Sequence, residues 1–379
     1  MGRTNVAGRA YIGTSVPESW RAAVESTIKA AQPGIACFST PNAAASSATV
    51  PAPSSFIQVW NAELGRQFDP EVPRPKDLAA KFDCLITADA SDCDAAYALY
   101  AKRVPVLLLR REGCDAVVAF AGHQGHPLLT VAPELGTEAD VADAVRAFFA
   151  FPEAEGRVFV VEGGDGAGKQ TQVARIVDRL AKEGYPVQTF DYPHDAARYG
   201  LLIREVLGGQ RGNMRLVSPL VFAAVYGMNR EDHQPILAYW KLRGANVVLD
   251  RYMTANFGHQ ASKYGSDEER LSAINSLATF EQTWLDLPSA DRVAYLNLPP
   301  EWALRAMQQD TTRKALDEHE KAGIDYKNNV RRAFLWCCAN LPGWAEVPCV
   351  NEADTERLSR DAVHDMVWAR FSDMFVNKQ

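Results

Sequence analysis

The stretch RVFVVEGGDGAGKQTQ, residues 157–172, is the most informative segment of the chain. Its apolar residues 158–161 predict a buried strand that ends at Gly163. After four intervening residues come Gly168 and Lys169, and a helical pattern follows. Strand, glycine-rich loop and helix in this order are typical of a phosphate-binding P-loop, whose backbone N–H groups face the phosphates. We therefore predict that this segment binds a nucleoside triphosphate, with a glycine-rich turn without ligand as the alternative.

The composition of the chain limits its class and its partners. With 379 residues it is long for one core, so two domains are expected. A 47% hydrophobic and 23% charged composition is typical of globular proteins. The net charge of −7 provides no broad cationic surface, so we expect neither nucleic acid nor a membrane as a partner.

Cysteine usage and hydropathy indicate the compartment. The seven cysteines are an odd number without zinc spacing, which favours reduced thiols. The N-terminal residues lack an apolar signal core, and no apolar run has membrane-spanning length. We expect a cytoplasmic location, with an organelle as the alternative.

Strand and helix patterns alternate in both halves of the chain, which predicts parallel α/β sheets. In the first half, strands are predicted at 10–13, 34–38, 82–87, 104–109 and 128–131, and helices near 20–28, 94–103 and 138–149. A polar linker with Pro and Gly, residues 151–156, divides the chain into domains 1–151 and 152–379. In the second half, further strands are predicted at 187–190, 246–249, 293–298 and 347–350.

A second chemical signal follows the strand predicted at 246–249. Asp250 ends this apolar run, and a carboxylate in that position of a P-loop protein holds Mg²⁺ beside the phosphates. The adjacent Arg251 offers a planar fork for a phosphate oxygen. An ordinary salt bridge at the strand end is the alternative for this pair.

Residues 157–375 resemble thymidylate kinase, which transfers the γ-phosphate of ATP to dTMP. The matching motifs, in chain order, are EGGDGAGKQTQ at 162–172, Tyr192-Pro193 with Gly200 and Ile203, NRE at 229–231, DRY at 250–252 and His259-Gln260. The segment DEHEKAGIDYKNNVRRAF lies where a divergent branch of the family has its mobile lid. The resemblance implies a P-loop kinase domain with a parallel sheet and helices on both faces, the cofactors ATP and Mg²⁺, and a homodimer.

The resemblance also implies roles for single residues. The ATP-binding loop would comprise Gly163, Gly164, Asp165, Gly166, Ala167, Gly168, Lys169, Gln170 and Thr171. Lys169, Asp250, Arg251 and the lid residue Arg313 would be catalytic, with Lys314 as a second lid cation. For Arg313 and Lys314 a solvated helix face is the alternative.

The acceptor site follows from the same resemblance. Asp165 would face the 3′-hydroxyl or the metal, and Arg251 the acceptor phosphate. Tyr226 would stack on thymine, Arg230 would donate to the base, and Gln260 would bind the base edge. A core aromatic residue is the alternative for Tyr226.

Several positions depart from the family pattern. Gln170 stands where a Mg²⁺-binding hydroxyl is usual, so the predicted metal ligands are Gln170 and Asp250, with Thr171 next to them. Asp195 replaces an arginine that touches the acceptor phosphate, and we expect Arg198 to substitute for it. Gly166 occupies a slot where some members carry a catalytic arginine, which increases the need for a lid cation. Ala255 replaces a frequent serine.

The first half resembles nucleoside 2-deoxyribosyltransferases more faintly, and the resemblance implies a smaller α/β Rossmann-like domain. The matching segments are Tyr11-Ile12-Gly13, Lys76-Asp77-Leu78, Asp83-Cys84-Leu85-Ile86 and residues 95–109. The family nucleophile, a glutamate, is missing from Ala95-Ala96-Tyr97-Ala98, and covalent catalysis needs a carboxylate. We expect a binding or scaffolding domain without catalysis; the alternative is an active domain that uses Asp94.

The leading hypothesis is thus an ATP-dependent and Mg²⁺-dependent dTMP kinase fused to a deoxyribosyltransferase-like domain. A kinase for another deoxynucleotide or deoxynucleoside is a second hypothesis. Gln170 and Asp195 motivate a third, a non-catalytic nucleotide-binding regulatory protein.

Overall fold

The fold is taken from a computed structural model. It describes residues 9–12, 16–31, 36–39, 84–87, 106–111, 129–195, 197, 199–211, 218–303, 323–353 and 355–378. The chain divides into two compact units, Met1–Glu153 and Ala154–Gln379.

The first unit contains a parallel five-stranded sheet in the order β2-β1-β3-β4-β5. Its strands are β1 (Arg9–Ile12), β2 (Ala36–Ser39), β3 (Cys84–Thr87), β4 (Val106–Arg111) and β5 (Leu129–Leu135). Helices α1 (Glu18–Ala31) and α2 (Glu138–Phe148) pack against each other. This strand order occurs in doubly wound α/β folds. The helix predicted at 94–103, including Asp94, lies outside the described residues, and the deoxyribosyltransferase resemblance stays a prediction.

The second unit contains the P-loop sheet predicted from the sequence. Its strands are β6 (Val158–Gly163), β7 (Val187–Asp191), β8 (Asn246–Asp250), β9 (Arg292–Asn297) and β10 (Trp344–Pro348). All pairs are parallel, in the order β10-β9-β6-β8-β7. Every residue of the central strand β6 is buried, because β8 and β9 flank it and helices cover the sheet. The P-loop therefore begins at the middle of the carboxyl edge.

Helices surround this second sheet. They are α3 (Lys169–Lys182), α4 (Gly200–Leu207), α5 (Pro219–Glu231), α6 (Gln234–Leu242), α7 (Thr254–His259), α8 (Asp267–Ala278), α9 (Ile324–Asn340) and α10 (Arg360–Phe371). A π-helix, Thr279–Trp284, continues α8. The main core joins the sheet to α3 and α10, and the buried side chains that α10 contributes are Val363, Val367 and Phe371. The α/β P-loop architecture is the one that the sequence predicts.

The end of α3 agrees with its sequence signal. Gly184 follows the cap residue Glu183 with a φ of 84°, a left-handed conformation that favours glycine. The N–H of Tyr185 donates to the Leu180 carbonyl and that of Gly184 to the Ala181 carbonyl. This pair of bonds is the Schellman ending that satisfies the last carbonyls of a helix.

None of the helices in the described part of the chain combines the length and the apolar character required to cross a membrane.

Candidate active site

The P-loop runs from the end of β6 to the start of α3. Gly168 caps α3 with a φ of 93°, and the helix begins at Lys169. Because Gly168 has no side chain, the backbone can take this left-handed turn at little cost. The first N–H groups of α3 have no partners within the helix, so they are suited to bind phosphate.

The side chain of Lys169 is hydrogen-bonded to the P-loop. Its half-buried ammonium donates to the Gly164 carbonyl over 3.0 Å. Burial and the nearby Arg251 lower the pKa of Lys169 to about 8, although Asp165, Asp250 and Glu162 oppose the shift. The lysine therefore lies among three carboxylates, and in this state its proton is easier to lose than that of an ordinary lysine.

Arg251 lies beside the P-loop at the carboxyl end of β8. Its Nη2 donates to Asp165 Oδ1 over 2.9 Å, and its Nη1 lies 3.4 Å from His259 Nε2. Burial disfavours its charge, but Asp165, Glu162 and Asp250 outweigh burial and raise its pKa. Arg251 has a φ of 62°, unusual for a residue other than glycine, and such strain is typical of functional sites. The guanidinium therefore stays charged and is aimed at the loop.

Glu162 joins the P-loop strand to the DRY segment. This fully buried carboxylate accepts from Thr254 Oγ1 over 2.6 Å and from the Tyr252 N–H over 3.3 Å. Its Oε2 lies 3.8 Å from Arg251 Nη1 and has no hydrogen-bond donor within the described part of the chain. Burial raises the pKa of Glu162 despite these contacts. Glu162 thus ties β6 to the turn that carries Arg251.

Asp250, the predicted metal ligand, ends β8 next to β6. Burial raises its pKa, whereas Lys169 and Arg251 lower it. Gln170 and Thr171, in the first turn of α3, are exposed. Among the described residues no group of three or more His, Cys, Asp or Glu side chains could form a metal site. A metal bound here would need oxygen ligands from a nucleotide or from water.

One cavity of about 140 Å³ collects the predicted acceptor residues. Its lining includes all five of the described predicted acceptor residues, Asp165, Tyr226, Arg230, Arg251 and Gln260. Ala255 also lines it, so the missing serine hydroxyl leaves an apolar methyl group at this wall. Residues from five separate segments of the chain thus converge on one space beside the P-loop.

Arg230, which is predicted to donate to the base, is held by a buried ion pair. Its Nε and Nη2 donate to Glu281 Oε2 and Oε1, each over 2.6 Å, and both side chains are buried. Asn256 Nδ2 adds a bond of 2.8 Å to Glu281 Oε1. The coulombic effect of Glu281 overcomes the burial of Arg230 and raises its pKa. Arg230 therefore reaches the cavity with two of its nitrogen atoms already engaged.

Tyr226 and Gln260 both line the cavity. The Tyr226 ring is half-buried and packs edge-on against Phe222, with 4.9 Å between ring centroids. Gln260 is buried, and its Oε1 accepts from Lys263 Nζ over 2.8 Å. Its amide nitrogen is the group left to meet an acceptor on a ligand.

The sequence reasoning missed one functional candidate, Arg204, and gave no role to another, Asn229 of the NRE motif. Arg204 of α4 lines the cavity, and its Nε donates to Asp195 Oδ1 over 2.6 Å. Asn229 holds the loop after β7, because its amide both accepts from the His194 N–H and donates to the His194 carbonyl. The signal for Arg204 was a pair of charged residues, Arg204 and Glu205, inside the otherwise apolar GLLIREVL helix. The predicted residues Arg198, Arg313 and Lys314 lie outside the described residues.

A family model described as thymidylate kinase matches residues 161–352, more than half of the chain. The chain belongs to the thymidylate kinase family. A thymidylate kinase from Synechococcus sp. is 32% identical over 184 residues, which are 48% of this chain and 81% of that relative. One from Bifidobacterium longum subsp. infantis is 30% identical over 225 residues, 54% of this chain and 88% of the relative. Membership of the family agrees with the resemblance that the P-loop, DRY and NRE motifs indicate.

A solved thymidylate kinase structure from Candida albicans is also similar to this chain. It is 19% identical, with a TM-score of 0.44, and the match covers 59% of this chain and 93% of the other.

Proposed function

We propose that the protein transfers the γ-phosphoryl group of ATP to dTMP and releases dTDP and ADP. The observation that carries the proposal is the acceptor cavity, in which Tyr226, Arg230, Gln260 and Arg251 meet beside the P-loop. An aromatic ring, hydrogen-bonding groups and a cation are the chemistry that a pyrimidine monophosphate requires. Family membership supports the same donor and acceptor.

The reaction needs positioning and positive charge more than a nucleophilic side chain. We assign the β- and γ-phosphates to the P-loop backbone and Lys169, which would exchange the Gly164 carbonyl for phosphate oxygens. We assign the acceptor phosphate to Arg251, whose contact with Asp165 links it to the same loop. Arg204 adds a further cation at the acceptor cavity, which Arg230 also lines.

Asp250 and Gln170 are the proposed ligands of Mg²⁺. The donor set fits this ion, because in kinases one or two protein oxygen ligands suffice when phosphates and water complete the coordination. When bound, Mg²⁺ would neutralise charge on the β- and γ-phosphates. Arg313 and Lys314 remain proposed lid cations, and Arg198 a proposed acceptor-site residue.

We also propose an oligomeric state, a cellular location and a role for the N-terminal half. We infer a homodimer, which is supported by the exposed apolar side chains Leu201 of α4 and Leu220 and Val221 of α5, two helices that pack together. Light scattering on wild type and on the Val221→Asp variant tests it. We keep the cytoplasm as the proposed location, and a binding domain without catalysis as the proposed role of residues 1–151.

A coupled assay of ADP release with ATP and dTMP, dCMP, dUMP or dGMP tests the activity. We expect the highest kcat/KM with dTMP. Lys169→Ala should abolish turnover while the thermal unfolding profile is retained. Lys182→Ala, an exposed lysine at the other end of α3, is the matched control and should leave turnover unchanged. Activity with no monophosphate would support a regulatory nucleotide-binding protein instead.

A further inference from the structure

A second cavity, of about 50 Å³, lies between the P-loop and α9. Gly164 and Asp165 line it from the loop, and Lys327 and Arg331 line it from the helix. Asp165 and His259 line both this cavity and the acceptor cavity. The space beside α9 therefore adjoins the place where phosphates of donor and acceptor must meet.

Arg331 is held in a defined orientation in this second cavity. Its Nε donates to Asn297 Oδ1 over 2.7 Å, and Asn297 in turn donates to the Glu346 carboxylate. Asn297 is buried at the end of β9, so the chain of bonds fixes the guanidinium to the sheet. Within the described part of the chain, no other hydrogen bond of Arg331 is found, which leaves its two Nη groups for a ligand.

We propose that Arg331 binds the phosphoryl group during its transfer, and that Asn297 is a positioning residue for Arg331. This inference rests on the proposed kinase function. In the reaction the bond from the γ-phosphorus to the bridging oxygen of ATP breaks, and a bond to an oxygen of the acceptor phosphate forms. Arg331 donates hydrogen bonds to the non-bridging oxygens and neither gains nor loses a proton.

The geometry favours Arg331 over Lys327, which lines the same cavity. A guanidinium offers two parallel donors to a phosphoryl group, whereas an ammonium acts as a point charge. Because Asn297 already orients Arg331, little side-chain freedom is lost when the phosphoryl group arrives. Arg251 approaches from the acceptor side, so the two arginines would share the developing charge.

The test compares Arg331→Ala with Arg332→Ala. Arg332 is the adjacent arginine of α9, is exposed and pairs with Asn329, so it is a matched control. We expect Arg331→Ala to lower kcat about 100-fold, as loss of one transition-state donor does, with both KM values within about threefold of wild type. Added guanidinium ion should restore part of the lost kcat, and Arg332→Ala should behave as wild type.

Further variants separate a positioning role from a structural one. Asn297→Ala should lower kcat less than Arg331→Ala, and the double variant should be no slower than Arg331→Ala alone, because both changes remove one interaction. If Arg331→Ala fails to fold, Arg331→Lys should still lower kcat about tenfold through the lost fork. A kcat within about threefold of wild type in a folded Arg331 variant, or full additivity with Asn297→Ala, would overturn the inference. Wild-type turnover of dTMP, measured in the same assay, reports on the proposed function separately.

Discussion

Arg230, which lines the acceptor cavity, and Glu281, 51 residues further along the chain, form a buried two-pronged ion pair. Glu281 belongs to the π-helix that continues α8, and Arg230 lies near the end of α5. The pair joins two helices and fixes one edge of the Arg230 guanidinium. The stability of this region and the orientation of the Arg230 guanidinium in the cavity therefore depend on the same contact.

Glu281→Gln should lower the free energy of unfolding by about 3–5 kcal/mol, because it leaves the charge of Arg230 buried without its counter-ion. Urea denaturation followed by circular dichroism measures the change. Asp178→Asn, which breaks an exposed pair with Lys182 on α3, is the control and should leave the denaturation midpoint unchanged. Equal midpoints for wild type and Glu281→Gln would contradict a stabilising pair.

Tyr226→Ala should raise the KM for dTMP about tenfold to a hundredfold and leave that for ATP nearly unchanged, because a base stacked on an aromatic ring gains about 1–3 kcal/mol. Steady-state kinetics with each substrate varied in turn provides both values. Tyr226→Phe keeps the ring and should keep the KM for dTMP. If the alanine variant raises both KM values equally, Tyr226 has a structural role.

The pH dependence of ATP binding should report on Lys169. In the free protein its pKa is lowered to about 8 from 10.5, so the ammonium is lost as the pH rises through 8. Phosphates favour the charged form, so kcat/KM for ATP should fall above about pH 8. Titration calorimetry at pH 8 in buffers of different ionisation enthalpy should show uptake of about half a proton per ATP.

The lowered pKa of Lys169 affects stability in the opposite direction to ATP binding. Between pH 8 and 10.5 the unfolded chain holds the Lys169 proton more tightly than the native state does. The contribution of Lys169 to the free energy of unfolding should therefore rise with pH over this window. Lys169→Met removes the titrating group, and a difference from wild type that stays constant with pH would contradict the lowered pKa.

Gln170→Leu should raise the Mg²⁺ concentration needed for half-maximal rate, because it removes the proposed oxygen ligand and leaves Asp250 as the proposed main carboxylate for the ion. Gln170→Ser restores the usual hydroxyl and should keep or raise activity. Rates over a Mg²⁺ titration at fixed ATP measure both effects. An unchanged Mg²⁺ requirement in Gln170→Leu would favour Thr171 or water as the ligand.

Gly258→Ala should destabilise the contact between α7 and α9. A Cβ at Gly258 would lie 2.2 Å from the Phe334 ring, and such overpacking costs about 1–3 kcal/mol. Thermal unfolding should show the loss, and adding Phe334→Leu should recover part of it. Gly323→Ala, where a Cβ would meet no atom within 4 Å, is the control. A Gly258→Ala variant as stable as wild type would show that the two helices separate easily.

The elements of the second unit were predictable where the sequence has strong local periodicity. β6, α3 and the ending at Gly184 follow from an apolar run, an apolar stripe and a glycine. β10 is less well predicted, since it runs Trp344–Pro348 rather than 347–350. Of its five residues only Val347 is buried, so its start depends on pairing with β9 rather than on a local apolar pattern.

The candidate site was predictable where a motif carries the chemistry. Lys169 is predicted from the P-loop motif, Asp250 and Arg251 are predicted from the end of an apolar strand, and family resemblance adds Tyr226 and Gln260. The partners that orient these groups lie far away in sequence. Glu281 for Arg230 and Asn297 for Arg331 are ordinary polar residues until the fold brings them to hydrogen-bonding distance. A sequence motif therefore predicts a reactive side chain, whereas its hydrogen-bond partners are known only from the tertiary structure.

The two carbonyl contacts of the P-loop have a kinetic consequence. Lys169 donates to the Gly164 carbonyl, and Arg357, which lies just before α10, donates to the Gly166 carbonyl over 2.8 Å. Carbonyl oxygens repel phosphate. The two cations that bind these carbonyls therefore keep them turned away from the phosphate site before any nucleotide binds. When a triphosphate binds, Lys169 exchanges the Gly164 carbonyl for phosphate oxygens, and the loop does not have to fold. Association should consequently be limited by diffusion and electrostatic attraction, and selection among nucleotides by the rate at which each one leaves.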